Sequence, residues 1–448
     1  MHGRVDLIIE NRADIVGESA VRKNLLDVLE AAVDAVDPYT CVRRALSRDG
    51  DTLSIEDRRY DLSIFDSVTV VGAGKASKRM AEAVADVLGD RITRGFVNST
   101  SDGAVGRIHL HRSSHPHPDL EGLVGSLEIR RLCESAGERD LIICLVSGGG
   151  SSMMPCPADG IGLEEKKRTA ELLMLRGASI DELNTVRRHL SCLKGGNLAR
   201  LAYPATVLSL IISDVVGDRL ESISSGPTAP DPTSRLDAIR VLGRYGLMEE
   251  VPSSVVKYLN SETSETPKPG DVLFQKVANV IVASNRIALL AAERKGRELG
   301  YNTLLLTSSI EGEAREVGRV FCGIGNEIME MASPVAPPAL IIGGGETTVT
   351  VRGGGRGGRN CELVLGATQK LEAGLTVLSF GTDGIDGTSG AGGAIGDRST
   401  WSEDAFGSLA DNDSARYLGQ RGGLIITGPT GTNVGDVILM AAGRAEGR

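Results

Sequence analysis

Four glycine-rich clusters contain the residues of this sequence that are best suited to bind or transform a charged ligand. Glycine accounts for 57 of the 448 residues, nearly twice its usual share of roughly 7%. Because glycine tolerates left-handed backbone angles and lets backbone N–H groups approach a ligand closely, glycine clusters at strand ends are candidate anion sites. The clusters occupy residues 72–77, 147–152, 343–358 and 381–387.

The first cluster, GAGKAS, lies directly between a predicted strand and a predicted helix. The amides around Gly72 and Gly74, together with the helix dipole, would attract a phosphate or carboxylate, and Lys75 adds a mobile positive charge. The motif is a poor dinucleotide fingerprint, because Ser77 stands at the third glycine position and no acidic residue ends the next strand. It also lacks the spacing of a Walker loop. The alternative is a tight turn with a surface lysine.

The second cluster, SGGGSS, also follows a predicted buried strand. Hydroxyl groups that flank three glycines offer both amide and side-chain donors to an oxyanion. The GxSxG pattern of a nucleophile elbow is absent, so Ser151 is a poor candidate for a hydrolase nucleophile. A merely flexible loop is the alternative.

The third cluster, GGGETTVTVRGGGRGG, leads through Arg359 and Asn360 into a predicted helix. An arginine at that position can present a forked pair of donors to phosphate oxygens, where a lysine would offer only a point charge. Arg356 is the competing candidate for this role. The alternative is a glycine-rich hairpin with solvated arginines.

The fourth cluster, GTDGIDG, follows the predicted strand TVLSF and includes Thr382, Asp383 and Asp386. Paired carboxylates on such a loop can hold Mg²⁺ through their oxygens, and one of them can accept a proton from an attacking hydroxyl. The spacing does not match an EF-hand. Asx turns are the alternative for either aspartate.

Two weaker stretches also contain possible ligands. HLHRSSHPHPD holds four histidines, but its two prolines and the lack of a nearby cysteine argue against a closed zinc site, so we expect a loop. Asp214 follows the predicted strand TVLSLIIS, where metal binding and simple turn formation both remain open.

These clusters must be positioned by strands that alternate with helices. The predicted strands are SVTVVGAG (67–74), GFVNST (95–100), 141–146, 206–213, 280–284, 302–307, 339–343, 348–351, 376–380 and 424–427. The predicted helices cover residues 77–88, 164–178, 181–193, 286–299, 313–331 and 359–371. This alternation predicts open α/β sheets, in which ligands bind at the carboxyl ends of the strands.

The length of 448 residues predicts two domains, because a single hydrophobic core usually stops growing at a smaller size. Residues 251–271 are rich in Ser, Thr, Glu and Pro, a composition typical of an exposed connection. We therefore expect an amino-terminal domain over residues 1–262 and a carboxyl-terminal domain over residues 263–448.

Charge and cysteine usage exclude several classes of protein. The net charge is −10 and its charges are interspersed, which argues against a nucleic-acid surface. The first 14 residues do not suggest a signal peptide or an anchor, and no segment suggests a spanning helix. Seven scattered cysteines without a CxxC pair argue against a disulfide framework and a zinc site. We expect a cytoplasmic protein.

Ten ordered blocks of this sequence resemble the glycerate 2-kinases that carry a MOFRL domain at their carboxyl end. The blocks are DPY (37–39), VVGAGKAS (70–77), HPHPD (115–119), SGGGSS (147–152), DELNTVRRHLSCLKGG (181–196), ISDVVGD (212–218), SSGPTAPDPT (224–233), GGETTVTVRGGGRGGRNCE (344–362), GTDGIDG (381–387) and TGPTGTNVGD (427–436). The chain departs from the family at SGGGSS, which usually reads SGGASA, and at GGRNCE, which usually reads GGRNQE.

The resemblance implies ATP-dependent phosphorylation of D-glycerate at its 2-hydroxyl, which gives 2-phosphoglycerate, with Mg²⁺ or another divalent cation. It also implies a Rossmann-like α/β/α amino-terminal domain and a smaller α/β MOFRL domain, with the active site in the cleft between them. By motif, the family's essential lysine, arginine and aspartate correspond to Lys75, Arg359 and Asp383.

These expectations combine into one mechanistic hypothesis. Lys75 and Arg359 would hold the transferring phosphoryl group or the acceptor carboxylate, while Asp383 would orient or deprotonate the attacking hydroxyl. The residues expected to bind substrate or phosphate are Gly72, Gly74, Ser147, Gly148, Gly149, Gly150, Ser151, Lys194, Asn360 and Thr382. The candidate metal ligands are Asp214, Glu346 and Asp386.

Two other functions stay open at this point. One is an oxidoreductase acting on hydroxypyruvate, which the imperfect GAGKAS motif disfavours. The other is a non-catalytic sensor of sugar phosphates built on the same α/β layers. The expected partners are D-glycerate and ATP, with neither nucleic acid nor membrane; the sequence leaves open whether the chain forms a homodimer.

Overall fold

The computed structural model describes residues 7–443 and divides them into two compact units. The central unit comprises residues 38–282, and the terminal unit combines residues 7–37 with residues 283–443. Residues 1–6, which form part of the segment that argued against a signal peptide, lie outside the described residues. No helix within residues 7–443 has both the length and the apolarity needed to cross a membrane.

The chain begins with two helices of the terminal unit, α1 (Arg12–Val16) and α2 (Ala20–Asp34). The hydroxyl of Ser19 accepts a hydrogen bond from the Arg22 N–H and so caps α2. The Arg22 guanidinium in turn lies 2.8 Å from the Asp397 carboxylate. The Asn11 side chain donates to the Leu424 carbonyl at 2.8 Å. These contacts join the first 37 residues to the carboxyl-terminal half of the chain.

The central unit is built on a seven-stranded sheet. Its elements are α3 (Pro38–Ala45), β1 (Leu46–Asp49), β2 (Thr52–Ile55), β3 (Arg58–Asp61), β4 (Ser67–Ala73), α4 (Ser77–Leu88), β5 (Arg94–Ser99), β6 (Gly103–Val105), β7 (Ile108–Arg112), α5 (Leu120–Glu134), β8 (Asp140–Val146), α6 (Gly150–Met153), α7 (Leu163–Leu175), α8 (Ile180–His189), α9 (Asn197–Ala202), β9 (Thr206–Ile212), α10 (Arg235–Arg244), α11 (Ser253–Leu259) and β10 (Val277–Ala283). The sheet order is β10-β9-β8-β4-β5-β7-β6, and β1, β2 and β3 form a small antiparallel sheet.

Parallel pairing brings the first two glycine clusters together. Strand β4 runs parallel to both β5 and β8, and Ala73 at the end of β4 pairs with Val146 at the end of β8. Alternate strand residues such as Val71 and Ile142 face the core formed with α5 and α9. The loops that follow β4 and β8 therefore leave the same edge of the sheet side by side.

The terminal unit continues with a six-stranded sheet. Its remaining elements are α12 (Asn285–Glu298), β11 (Asn302–Ile310), α13 (Ala314–Met331), β12 (Ala339–Gly345), α14 (Arg359–Thr368), β13 (Leu375–Gly381), β14 (Gly393–Asp397), α15 (Ala405–Ala410), α16 (Ser414–Gly419), β15 (Leu424–Ile425) and β16 (Asp436–Ala442). The order is β11-β12-β16-β13-β14-β15, and β16 is antiparallel to both neighbours. Asp436 begins β16 directly opposite Gly345 and Gly381, which end β12 and β13.

The expected α/β class is confirmed, because helices and mainly parallel strands alternate along the central unit. The strand predicted at residues 348–351 is wrong. Within that stretch Thr348 forms only an isolated bridge with Glu313, and Val351 is 73% exposed. The alternation of Thr and Val fits a strand, but no neighbouring strand pairs with it.

The connection predicted at residues 251–271 is part of the central core instead. Within it, α11 buries Val255 and Leu259 against the apolar residues of α7, α8 and α10. Strand β10 then adds an edge to the central sheet beside β9. The division of the structure after residue 282 thus differs from the boundary expected after residue 262, because the polar composition of residues 251–271 concealed several buried positions.

Leu259→Ala should lower the free energy of unfolding of the central unit by about 3 kcal/mol, since it removes a fully buried side chain and leaves a cavity. Lys257→Ala on the exposed side of the same helix should change it by less than about 0.5 kcal/mol. Urea unfolding followed by circular dichroism measures both variants. Equal midpoints for the two would show that α11 is a surface connection.

Candidate active site

The predicted site residues form one group in each unit, and each group is described on its own. The central cluster comprises Lys75, His115, residues 147–151 and Asp214. The terminal cluster comprises the predicted residues Glu346, Arg359, Asn360, Thr382, Asp383 and Asp386, together with Asp436, which the sequence analysis did not select.

In the central cluster the two glycine loops bind each other. The Lys75 N–H donates to the Gly148 carbonyl at 2.9 Å, and the Ala76 N–H donates to the Ser147 hydroxyl at 3.1 Å. A side chain at Gly74 would collide with Ser147, so glycine is needed there for the close approach of the two loops. The amides of residues 75 and 76, which the sequence suggested for anion binding, are therefore occupied by the chain itself.

The second loop keeps its amides open. The N–H groups of Gly148, Gly149 and Ser151 have no acceptor among residues 7–443. A methyl group at Gly149 would lie 2.8 Å from His115 and 3.3 Å from the Lys75 side chain, which places both residues beside these amides. Since the Lys75 ammonium likewise has no hydrogen-bond or ion-pair partner within residues 7–443, the loop is suited to an anion rich in oxygen.

The charges around this loop are mixed. Asp214 lies against the loop as well, because a side chain at Gly148 would collide with its carboxylate. Burial, followed by the positive charge of Lys75, lowers the pKa of His115 below its usual value. His115 is therefore neutral at pH 7 and leaves Lys75 as the cation of the loop. Two further histidines, His109 and His111 of β7, pack on Phe96 with ring centroids 4.9 and 5.5 Å away.

Lys194 contacts the second loop from the protein interior. Its side chain is only 1% exposed, and its ammonium donates to the Ser151 carbonyl at 2.7 Å and to the Met154 carbonyl at 2.8 Å. Burial lowers its pKa well below the usual value. The sequence suggested that Lys194 contacts phosphate. In the structure these two hydrogen bonds give Lys194 a structural role, because they anchor the backbone of the loop at Ser151 and Met154.

Sequence reasoning missed two serines that brace the same loop. Ser224 and Ser225 have φ angles of +50° and +60°, a left-handed conformation that strains residues other than glycine. The Ser224 hydroxyl donates to the Ser147 carbonyl, and the Ser225 hydroxyl bonds to that of Ser151, both at 2.9 Å. The sequence signal for them was the SSGP motif at residues 224–227. The strain itself is visible only in the structure, where strained residues of this kind are often found at functional sites.

Arg187 is a third residue that sequence reasoning missed. Its guanidinium has no hydrogen-bond or ion-pair partner in the described chain, and burial lowers its pKa. Its charge contributes to the lowered pKa of Lys194, so the two cations are close. One turn earlier on α8, Asn184 accepts a hydrogen bond from Ser225. Arg187 thus adds positive potential near the open loop.

In the terminal cluster the central interaction is a two-pronged ion pair. Arg359 Nε and Nη2 donate to the two carboxylate oxygens of Asp436 at 2.6 and 2.9 Å. Burial raises the pKa of Asp436 to about 6, against the opposing effect of Arg359. Burial disfavours the charged form of Arg359 as well, yet the bonds to Asp436 raise its pKa overall. Arg359 Nη1 lies 3.3 Å from the Glu346 carboxylate.

Among the other predicted residues of the terminal cluster, some side chains are buried and one is accessible to a ligand. Asn360 and Thr382 are almost fully buried, and their side chains bond to Asp436 and to the Gly435 carbonyl, respectively. Asp383 is half-buried. One of its carboxylate oxygens accepts from the Ile385 N–H at 3.0 Å, and the other has no donor within the described part of the chain. Asp383 is therefore the carboxylate here that can accept a bond from a ligand.

Asp386 caps a helix. Its two oxygens accept from the N–H groups of Asn360 and Cys361 at the start of α14, both at 2.9 Å. Within residues 7–443, no group of three or more His, Cys, Asp or Glu side chains is arranged to hold a metal ion. Two amide donors on Asp386 satisfy the helix start, and they account for this aspartate without a metal.

The glycine run of the third cluster packs on its own chain. The N–H groups of residues 352–356 all donate to Asp411, Asn412 or Asp413. A side chain at Gly355 would lie 2.5 Å from Asp413 Cβ and 2.6 Å from the Asp411 carbonyl oxygen, whereas one at Gly354 would meet nothing within 4 Å. The sequence predicted that these amides bind an anionic ligand. In the structure their acceptors are instead groups of residues 411–413 of the same chain.

Gly355→Ala should lower the free energy of unfolding of the terminal unit by about 1–3 kcal/mol, because the new methyl group overlaps backbone that cannot move independently. Gly354→Ala, at the adjacent open position, should change it by less than about 0.5 kcal/mol. Differential scanning calorimetry of both variants measures the contrast. Two equally stable variants would mean that the run does not pack on residues 411–413.

Comparison with known proteins covers both units. Residues 24–260 match the family described as Domain of unknown function (DUF4147), and residues 339–436 match the MOFRL family. A Pyrococcus horikoshii protein named glycerate 2-kinase is 38% identical over 440 residues, which cover 96% of this chain and 99% of that protein. A Thermotoga maritima protein named D-glycerate 2-kinase is also 38% identical and covers 94% of this chain and 98% of its own.

A solved structure agrees with these sequence matches. The crystal structure of a glycerate kinase from Thermotoga maritima matches 94% of this chain and 99% of its own, with a TM-score of 0.84 and 37% identity. Similarity of this extent in sequence and structure is shared by members of one family. The chain therefore belongs to the family of glycerate 2-kinases that carry a MOFRL domain.

Proposed function

We propose that this protein transfers the γ-phosphoryl group of ATP to the 2-hydroxyl of D-glycerate, giving 2-phosphoglycerate and ADP. Relatives from archaea, bacteria and mammals carry the name glycerate kinase over nearly the full length of the chain. The observation that carries the proposal is the unpaired ammonium of Lys75 beside the open amides of Gly148, Gly149 and Ser151.

This arrangement meets the chief demand of phosphoryl transfer. The transferring group spreads negative charge over three oxygens, and catalysis depends on positioning and on donors that are fixed in advance. Lys75 and the open amides bind the transferring phosphoryl group or the carboxylate of the acceptor. His115 stays neutral and so does not compete with Lys75 for the anion.

Arg359 and Asp383 supply the other two roles. Asp436 binds Nε and Nη2 of Arg359 and so fixes the plane of the guanidinium. The third nitrogen, Nη1, faces the exposed Glu346 carboxylate. A guanidinium held in this way binds an anionic oxygen of the reactants with little loss of side-chain entropy. Asp383 accepts the hydrogen bond of the 2-hydroxyl through its oxygen without a donor, and orients or deprotonates it.

The divalent cation enters as part of the substrate, the magnesium complex of ATP. Mg²⁺ is commonly held by one or two carboxylates together with nucleotide phosphates, so a complete protein cage is unnecessary. We propose that either Asp214 of the central unit or Glu346 of the terminal unit contacts this ion. Asp386 is less suited, because both of its oxygens already accept amide protons.

Glycerate-dependent release of ADP tests the proposal, with product analysis to locate the phosphate. Lys75→Ala should lower kcat/KM by about 100-fold or more, since it removes the mobile charge at the open amides. Lys78→Ala, an exposed lysine one turn along α4, is the matched control and should keep wild-type activity.

Two results would contradict this assignment. One is a Lys75→Ala variant as active as the control. The other is oxidation of NADH with hydroxypyruvate, as expected of a reductase; a relative from Agrobacterium vitis, 37% identical over 453 residues, carries the provisional name hydroxypyruvate reductase.

The Arg359–Asp436 pair predicts a pH dependence. The pKa of Asp436 is about 6, so the carboxyl is ionised and pairs with Arg359 above that pH and becomes protonated below it. As pH falls through 6, Arg359 loses its fixed partner, and kcat/KM should decline on the acid side. Asp436→Asn should be less active and should lack this acid limb between pH 5 and 7. An unchanged limb in the variant would assign it to another group.

A further inference from the structure

Cys156 and Cys192 lie directly opposite each other in the central unit, although 36 positions separate them in the sequence. Pro157 and Ser191 form an isolated antiparallel bridge. The flanking hydrogen bonds run from the Ala158 N–H to the Leu190 carbonyl at 3.1 Å and from the Cys192 N–H to the Cys156 carbonyl at 3.2 Å. In this register residue 156 pairs with residue 192, and their side chains point to the same side of the ribbon.

The pairing matches the dimensions of a disulfide. Opposite residues in an antiparallel ladder have Cα atoms about 4.5–5.5 Å apart, which falls inside the roughly 4.4–6.8 Å that a disulfide spans. The Cys192 thiol also donates a hydrogen bond to the Cys156 carbonyl at 3.7 Å. Cys156 is buried, whereas Cys192 is partly exposed and so open to a small reagent.

We propose that Cys156 and Cys192 are a redox modification site, which low-molecular-weight disulfides such as oxidised glutathione convert reversibly into an intramolecular disulfide. The Cys192 thiolate attacks the S–S bond of the reagent and releases one thiol, leaving a mixed disulfide on Cys192. The Cys156 thiolate then attacks Cys192 Sγ and releases the second thiol. The two cysteine protons end on the two released thiols, and two cysteine sulfurs are oxidised while two reagent sulfurs are reduced.

The surroundings favour this order of attack. The neighbouring Cys156 side chain, and then the charges of Lys166 and Arg130, lower the pKa of Cys192 against the effect of burial. The pKa of Cys156 is raised, first by the neighbouring Cys192 side chain and then by burial. Once Cys192 has reacted, its thiol no longer raises the pKa of Cys156, and the Lys166 ammonium, 3.4 Å from the Cys156 carbonyl, favours the Cys156 thiolate.

The site connects to the open amide loop through Lys194. Lys194 follows Cys192 by two residues and holds the carbonyls of Ser151 and Met154, while Cys156 follows Met154 by two residues. A disulfide between Cys156 and Cys192 would displace the backbone next to Met154 and next to Lys194, and so disturb the hydrogen bonds between Lys194 and the loop. Resting on the proposed kinase function, we expect oxidation to lower kcat by about tenfold or more, because small displacements of positioned groups slow catalysis strongly.

Mass spectrometry of the full chain tests the modification itself. The reduced protein is treated with oxidised glutathione, alkylated and digested with trypsin, which places Cys192 alone in peptide 189–194 and Cys156 with Cys144 in peptide 140–166. Wild type should yield the two peptides joined, two hydrogens lighter than their sum, with fragments that assign the link to Cys156. Cys156→Ala should instead retain glutathione on Cys192, and Cys192→Ser should yield neither product.

The outcomes separate the modification site from the function. A glutathione adduct that persists on wild-type Cys192, a link to Cys144, or no reaction at either thiol would overturn the site. A link that leaves ATP-dependent phosphorylation unchanged would overturn the effect on the loop. If the protein phosphorylates no glycerate at all, the proposed function fails, while the peptide masses still decide the disulfide. Dithiothreitol should reverse both the link and the loss of activity.

Discussion

Each backbone N–H group that folding removes from water needs an acceptor, and the glycine loops of this protein meet that requirement in two different ways. In the terminal unit the acceptors belong to the chain, because Asp411, Asn412 and Asp413 take up the amides of the glycine run and Asp386 takes those at the start of α14. In the central unit the amides of residues 148, 149 and 151 have no acceptor among the residues that the structure describes. Similar glycine-rich sequences therefore differ in their hydrogen bonding, and the difference lies in whether an acceptor of the chain is positioned to receive the amide protons.

The same distinction holds for side-chain charge. Arg359 is held by a buried carboxylate whose own pKa has risen to about 6, so its position is fixed by the fold. Lys75 has no such partner within the described residues, so no ion pair there fixes its position. A cation that is paired within the fold presents its remaining donors to an anion in a fixed orientation. A cation without a partner attracts an anion more strongly, because no nearby negative charge offsets its own. A reaction that transfers a multiply charged group needs both properties.

Local patterns in the sequence predicted the strands that carry the loops, because aliphatic runs followed by glycine mark buried strands and their ends. The same patterns identified Lys75, Arg359 and Asp383 as the charged residues of interest. They could not predict that residues 352–356 bind residues 411–413, because that pairing joins segments more than fifty positions apart. Arg187 and Ser224 escaped for a similar reason, since the structure shows their importance only through distant neighbours. The segment at 251–271 was misread because its buried apolar residues, Val251, Val255 and Leu259, are dispersed through a polar stretch.

The direction of the open amides follows from what holds the neighbouring carbonyls. In a planar trans peptide the C=O and the next N–H point in opposite directions. The Ser147 carbonyl accepts from the Ser224 hydroxyl, so the Gly148 N–H points away from Ser224. The Gly148 carbonyl accepts from the Lys75 N–H, so the Gly149 N–H points away from that backbone amide. Each anchor is itself fixed, one by a strained left-handed serine and the other by the end of β4. Each donor is thus held in its orientation by the fold itself, which is the condition under which hydrogen bonds can stabilise a transition state without the cost of reorganising them.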